Sequence, residues 1–218
     1  NASDFPYILE GIPNEMYELP FFYADPQYHT YAKKKAAELY ATSKKFNKLT
    51  LDKWMARLSK YYNAIINVDY RTIDQKWADT LIEAFTEEDG TFFTDSSTTK
   101  QQMVQHINDY ISWVKKNKIV IKGTFKPEPT IVFMDNVYRF RATIEFTIVN
   151  YDKNENVMFG PSYNVVELQN VKFEKGYTYK GYADVGVDLN GLPTPNLYVA
   201  ATDIRYLHST HYEKIPAK

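Results

Sequence analysis

The side chains with chemistry to offer in this sequence are carboxylates, tyrosines and histidines. Four carboxylates, Glu145, Glu167, Asp184 and Asp203, fall in segments that alternate as strands do, with Tyr138, Tyr182, Tyr198 and Tyr206 near them in sequence. Asp203 alternates with Leu197, Val199 and Ala201 and so shares their apolar face. A carboxylate buried there must be paired or protonated, and Arg205, two residues on and on the same face, is the obvious partner. Asp203 is thus either half of a structural ion pair or the one candidate for proton transfer. The four histidines are His29, His106, His208 and His211. His208 and His211 are three apart, a spacing that suits a turn or helix face, but Glu213 is the one acidic residue close by, so no metal site is expected. Gly160-Pro161-Ser162-Tyr163 lacks the second flanking glycine of a nucleophile elbow and reads as a loop. With 8 glycines in all, no phosphate-cradling loop is formed. The absence of cysteine excludes disulfides, thiolate metal sites and a cysteine nucleophile.

Those residues sit in a chain of 218, of which 44% are hydrophobic and 24% charged. That balance describes a globular protein and excludes collagen-like and charge-driven disordered chains. The 26 basic and 27 acidic residues nearly cancel, and neither the half before Asn117 nor the half after it carries an excess. A nucleic-acid partner, which needs a clustered positive field, is therefore not expected. No apolar run is long enough to span a membrane. Aromatic residues reach 16%, with 19 tyrosines, and Tyr suits surfaces that are part apolar and part wet. Together with the abundant Lys and Asn and the missing cysteine, this is the style of an exported protein of a low-GC Gram-positive bacterium. An extracytoplasmic location, with a leader already removed, is the expectation.

The elements that must position the candidates follow from periodicity. Residues 1–24 hold no sustained period and read as an extended arm. Asp25-Pro26 opens a helix to about residue 46, so that 25–49 form a helical extension to a domain over 50–218. Thr50 and Asp52 start a helix with Trp54, Leu58, Tyr61, Tyr62 and Ile65 on one stripe. After a break at Asn67-Val68-Asp69-Tyr70, Thr72 caps a helix carrying Ile73, Trp77, Leu81 and Phe85. A turn at Glu88-Asp89-Gly90 and a short strand at Thr91-Phe92-Phe93 precede a helix capped by Ser97 or Thr98 and bearing Met103, Ile107, Tyr110 and Val114. From Lys118 the period becomes two. Strands are expected over Ile119–Phe125, closed by Pro127 and Pro129, then over Thr130–Met134 and Val137–Val149. In the last, Tyr138, Phe140, Ala142, Ile144, Phe146 and Ile148 share one face, and Arg139, Arg141, Thr143, Glu145 and Thr147 the other. Tyr163–Phe173, Tyr177–Val187 and Leu197–His208 complete the sheet.

Helices followed by an antiparallel meander predict an α+β fold with the helices packed on one face of a curved sheet. The stretch from Tyr61 to Tyr70, a capped helix and then Asp89-Gly90-Thr91-Phe92-Phe93 resembles the opening of the nuclear transport factor 2-like superfamily, over about Leu51 to Tyr206. The resemblance implies a cone in which a bent sheet wraps a long helix. It also implies a pocket between sheet and helices, in which relatives such as ketosteroid isomerases and dehydratases place an Asp or Glu with tyrosines. Asn67-Val68-Asp69-Tyr70-Arg71-Thr72-Ile73, the run Trp113 to Ile121, and Gly181-Tyr182-Ala183-Asp184 resemble, more narrowly, the C-terminal region of clostridial exported proteins that bear a copper amine oxidase N-terminal-like stalk domain. The stalk itself is absent, so this likeness implies neither copper nor amine oxidation, and no cofactor is expected.

The reading that results is a binding or interaction module whose open sheet face docks a protein or cell-wall partner or a second copy. Arg139, Arg141 and Glu145, with Tyr198 and Tyr206, are its candidate contacts. The alternative is a small-molecule isomerase, dehydratase or carrier using the cone pocket, with Asp203 as its acid–base group.

Overall fold

The computed structural model describes residues 48–86, 99–135, 137–159, 173–187 and 212–218. The expected arm, the helix over 26–46, the strands at Thr91–Phe93 and Leu197–His208, and all of Tyr163–Phe173 but its last residue lie outside them. Within them the chain runs α1 (Lys48–Ile65), β1 (Val68–Asp69), α2 (Gln75–Ala84), α3 (Lys100–Asn117), β2 (Val120–Asp135), β3 (Val137–Asn150), β4 (Tyr177–Val187) and β5 (Tyr212–Pro216). The strands form one antiparallel sheet in sequence order. The protein is α+β, as the change of period at Lys118 predicts.

Helix α1 buries the stripe read from the sequence: Trp54, Leu58, Tyr61, Tyr62 and Ile65 are each at most 2% exposed. Burying each such side chain contributes roughly 1.5–3 kcal/mol from removed apolar area, before the entropy of ordering it. The sheet supplies the other half of the core from the alternating positions Ala142, Ile144, Phe146 and Ile148 of β3, with Ile121, Phe125, Tyr179 and Val185 from its neighbours.

Helix α1 is also tied to the edge of β2 by hydrogen bonds. Strand β1 pairs with only Val120 and Ile121. Beyond them the carboxamide of Asn67 takes the place of a strand, accepting from Gly123 N at 3.1 Å and donating to Gly123 O at 2.9 Å. One step along, Asn63 Oδ1 accepts from Phe125 N at 3.2 Å. Gly123 is required by the closeness of this approach. A Cβ built there would lie 2.5 Å from Glu145 O, 2.7 Å from Phe146 Cβ and 3.1 Å from Ile66 Cδ1.

Four expectations need correction. The 67–70 break contains β1, and it is held by Asp69, whose backbone carbonyl accepts from Thr72 N and Ile73 N at 3.0 and 2.9 Å. That turn uses Thr72, so the cap of α2 is Asp74, whose Oδ1 accepts from Lys76 N and Trp77 N. Helix α3 is capped by Thr99, one or two residues later than expected, because Gln102 three residues on completes a capping box. Pro127 and Pro129 do not end a strand: β2 runs through them, and the ladder to β3 slips there, Pro127 facing Ala142 and Val132 facing Phe140. The missing N–H groups are tolerated because β2 has no strand beyond β1 on its other side among the described residues. Strand β5 was not anticipated. Its Glu213-Lys214-Ile215 is short, exposed and charged, and alternation over so few residues gives no signal.

Replacing Gly123 with alanine is expected to lower stability by about 1–3 kcal/mol through overpacking. A fall in the urea midpoint with unchanged slope checks it; an unchanged midpoint would show that α1 does not approach β2 this closely.

Candidate functional site

Two places have functional potential, the outer face of the sheet and the buried tyrosines behind it. The outer face is formed by the strand positions opposite the core. In one row across it, Thr124, Glu145, Lys180 and Glu213 are direct neighbours on β2, β3, β4 and β5, all exposed. In the next row stand Lys122, Thr147, Thr178 and Ile215, and the hydroxyls of Thr147 and Thr178 share a hydrogen bond of 2.7 Å. Val149 and Ile215, 43% and 44% exposed, add apolar area. Alternating sign along the Glu145, Lys180, Glu213 row gives cross-strand attraction, and each such exposed pair is worth little on its own.

Of the predicted contacts, Glu145 lies on this face between Thr124 and Lys180. Arg141 and Arg139 are placed by backbone register alone, opposite Asp184 and Gly186 of β4. Asp203, Tyr198, Tyr206, Glu167, His208 and His211 lie outside the described residues. His106 is half-buried on α3 with its ring 5.1 Å from that of Phe159. Among the described residues no three His, Asp or Glu side chains gather to hold a metal.

Behind the sheet the interior is aromatic. Tyr62 stacks on Phe125 at 4.5 Å and Phe146 on Tyr179 at 5.4 Å, while Tyr61 meets Tyr62 and Phe85 edge-on at 5.1 and 5.4 Å. Burial pushes the phenols of Tyr61 and Tyr110 above their ordinary range, so both stay protonated. They differ in partner. Tyr110 donates to Val157 O at 2.9 Å, whereas the buried hydroxyl of Tyr61 has no hydrogen-bond partner.

The loop after β3 is fastened along α3. Asn117 exchanges two hydrogen bonds with the backbone of Lys153, Trp113 Nε1 donates to Glu155 O at 2.9 Å, and Tyr110 to Val157 O. Phe159 closes the row against Tyr110 and Trp77, at ring distances of 5.3 and 5.9 Å. Sequence reasoning passed over this loop and over two asparagines, Asn63 in α1 and Asn67 just past its end. The alternation Asp152, Asn154, Asn156 was the available signal for the first; nothing local marks Asn63 and Asn67 as strand substitutes. The Asp69 carboxylate accepts from Arg71 N and Nε at 3.0 and 2.8 Å, which holds it below its ordinary value of 3.8.

Comparison with protein families, characterised proteins and solved structures gives no match to this chain.

The unequal tyrosines make a paired prediction. Tyr110→Phe is expected to cost about 1–2 kcal/mol because it orphans Val157 O, while Tyr61→Phe removes an unpaired hydroxyl and should be neutral or stabilising by up to about 1 kcal/mol. Equal losses in thermal unfolding would contradict the assignment. Because the folded-state value of Asp69 is lowered, its contribution is present above the ordinary value and lost as pH falls through the lowered one. Asp69→Asn should therefore flatten the acid limb of stability against pH without changing the neutral plateau's slope; an unaltered acid limb would exclude this contribution.

Proposed function

We propose that the protein is a non-catalytic binding module of a bacterial secreted or cell-surface protein, and that its α+β unit is a nuclear transport factor 2-like cone. The element order supports the cone: a long helix, an acidic-aromatic turn, two further helices, then a meander that packs back on the first. Export is supported by composition, with no cysteine and many Tyr, Lys and Asn.

The observation that carries the binding reading is one-sided packing. Among the described residues, the helices and the aromatic core take up one face of β2–β4, while on the other face Lys122, Thr124, Glu145, Lys180, Glu213 and Ile215 are exposed, with Thr147 half-buried and Thr178 buried between them. Sheets with one solvated face are ordinary, but this face continues toward Arg139 and Arg141 and so carries charge enough to choose a partner. The proposed occupant is a protein surface, a second copy of the chain being the first to test, with Tyr198 and Tyr206 expected to extend the contact.

One observation favours the enzyme or carrier reading, the partnerless hydroxyl of Tyr61 in the interior. There the group would meet a polar atom of a small molecule, and Asp203→Asn would abolish turnover while leaving association intact.

Native mass spectrometry of the protein as purified separates the two. The module reading predicts a dimer without added mass, and Arg141→Glu should weaken that association roughly tenfold or more while the circular dichroism spectrum is retained. A monomer carrying a retained small molecule, or assembly indifferent to Arg141→Glu, would overturn it.

A further inference from the structure

Charge on the outer face of the sheet alternates in sign in a pattern that is complementary to itself. The register sets Arg141 of β3 beside Asp184 of β4 and, four residues along, Glu145 beside Lys180. Residues four apart on one strand share a face, so all four positions lie on the face opposite Ala142, Ile144 and Val185. Over about 14 Å, β3 therefore changes from positive to negative while β4 changes from negative to positive. Uncharged Thr143 and Tyr182 separate the two pairs, and Thr147 and Thr178, hydrogen-bonded to each other at 2.7 Å, follow Glu145 and Lys180. Glu145 and Lys180 are exposed, whereas Thr147 is half-buried and Thr178 buried. Among the described residues of these central rows, charge is thus what the face presents.

Resting on the reading of this face as a protein-binding surface, we propose that its occupant is a second copy of the chain. The two copies lie face to face about a two-fold axis that runs along the strands between β3 and β4. Such an axis keeps position along the strands and exchanges the strands, so β3 of one copy lies over β4 of the other. Arg141 then meets Asp184 of the second copy and Glu145 meets Lys180, each contact made twice, as an isologous interface requires. The outer strands agree in sign. β2 comes over β5, and Glu213 of the second copy arrives opposite Thr124, between Lys122 and Lys126. An axis laid across the strands at Thr143 would match the same four central charges but would set Lys126 against itself. Aligned sheets cross at about 30°, which confines the closest contact to the central rows. Pairs of exposed charges give selectivity more than strength, so the association should weaken as salt rises.

Native mass spectrometry of the full chain, with one variant of each mixture isotope-labelled, tests the pairing. Glu145→Lys and Lys180→Glu should each weaken self-association about tenfold or more, because each sets like charges together at two places. Mixed with each other, the two variants should recover wild-type association as a heterodimer, since every facing pair is again opposite in sign; the crosswise axis gives no such recovery. Both substitutions in one chain should self-associate like the wild type yet fail to pair with it. That double variant keeps the cross-strand attraction within the sheet and carries the test if a single variant fails to fold. A dimer whose single variants do not recover on mixing, or whose double variant pairs freely with wild type, would overturn this pairing and leave the binding reading standing. A wild type that stays monomeric would also overturn the pairing, and a small molecule retained on that monomer would overturn the binding reading with it.

Discussion

The carboxamides of Asn63 and Asn67 stand in for a strand, and the helical side of the molecule depends on that substitution. β1 satisfies β2 only at Val120 and Ile121, so the backbone of Gly123 and Phe125 would otherwise face the helices with its polar groups unpaired. Unpaired backbone groups at a helix–sheet junction would have to be hydrated, which would hold α1 away from the sheet. Because Asn67 completes both groups of Gly123, and because Gly123 has no side chain, Ile66 reaches within 3.1 Å of where a Cβ would stand. The amphipathic stripe of α1 can then close on Phe125 and Phe146. The asparagines also blunt an edge that would otherwise be open to strand addition.

Once α1 is fixed, the other helices follow by contacts that are largely polar at their margins and aromatic within. Trp77 Nε1 donates to Ala64 O at 2.9 Å and ties α2 to the end of α1. The ring of Trp77 stacks on Tyr110 at 5.5 Å, which brings in α3. α3 in turn holds the loop after β3 through Tyr110, Trp113 and Asn117, residues spaced to lie on one helix face. Among the described residues the helices all lie on one side of the sheet, and its other face carries the charged, threonine-bearing rows. The functional proposal rests on that asymmetry.

How much of this was legible follows the physics of each signal. The helices α1, α2 and α3 and strands β3 and β4 were readable because periodicity records burial, and the buried sets from Trp54 to Ile65 and from Ala142 to Ile148 are those the spacing picked out. Caps were less legible: Thr72, Ser97 and Thr98 have the right chemistry, and Asp74 and Thr99 won through contacts with Lys76, Trp77 and Gln102 that a composition pattern does not rank. Pro127 and Pro129 misled because a proline ends a central ladder but not an edge, and the sequence does not state which strand is the edge. The site was less legible than the fold. Alternation assigned Arg141 and Glu145 to the sheet face opposite Ala142 and Ile144, but the partners of Asn63, Asn67 and Asn117 are tens of residues away, and a hydrogen bond across such a separation leaves no local trace.

The dependence on α1 can be measured through two amides. Hydrogen exchange resolved at single residues should show Gly123 and Phe125 N–H protected as strongly as the paired amides of β3, since they donate to Asn67, just past the end of α1, and to Asn63 within it, and Asn67→Ala should release Gly123 selectively. Rapid exchange at both in the wild-type protein, with β3 protected, would contradict the account by showing that the helix does not complete the sheet.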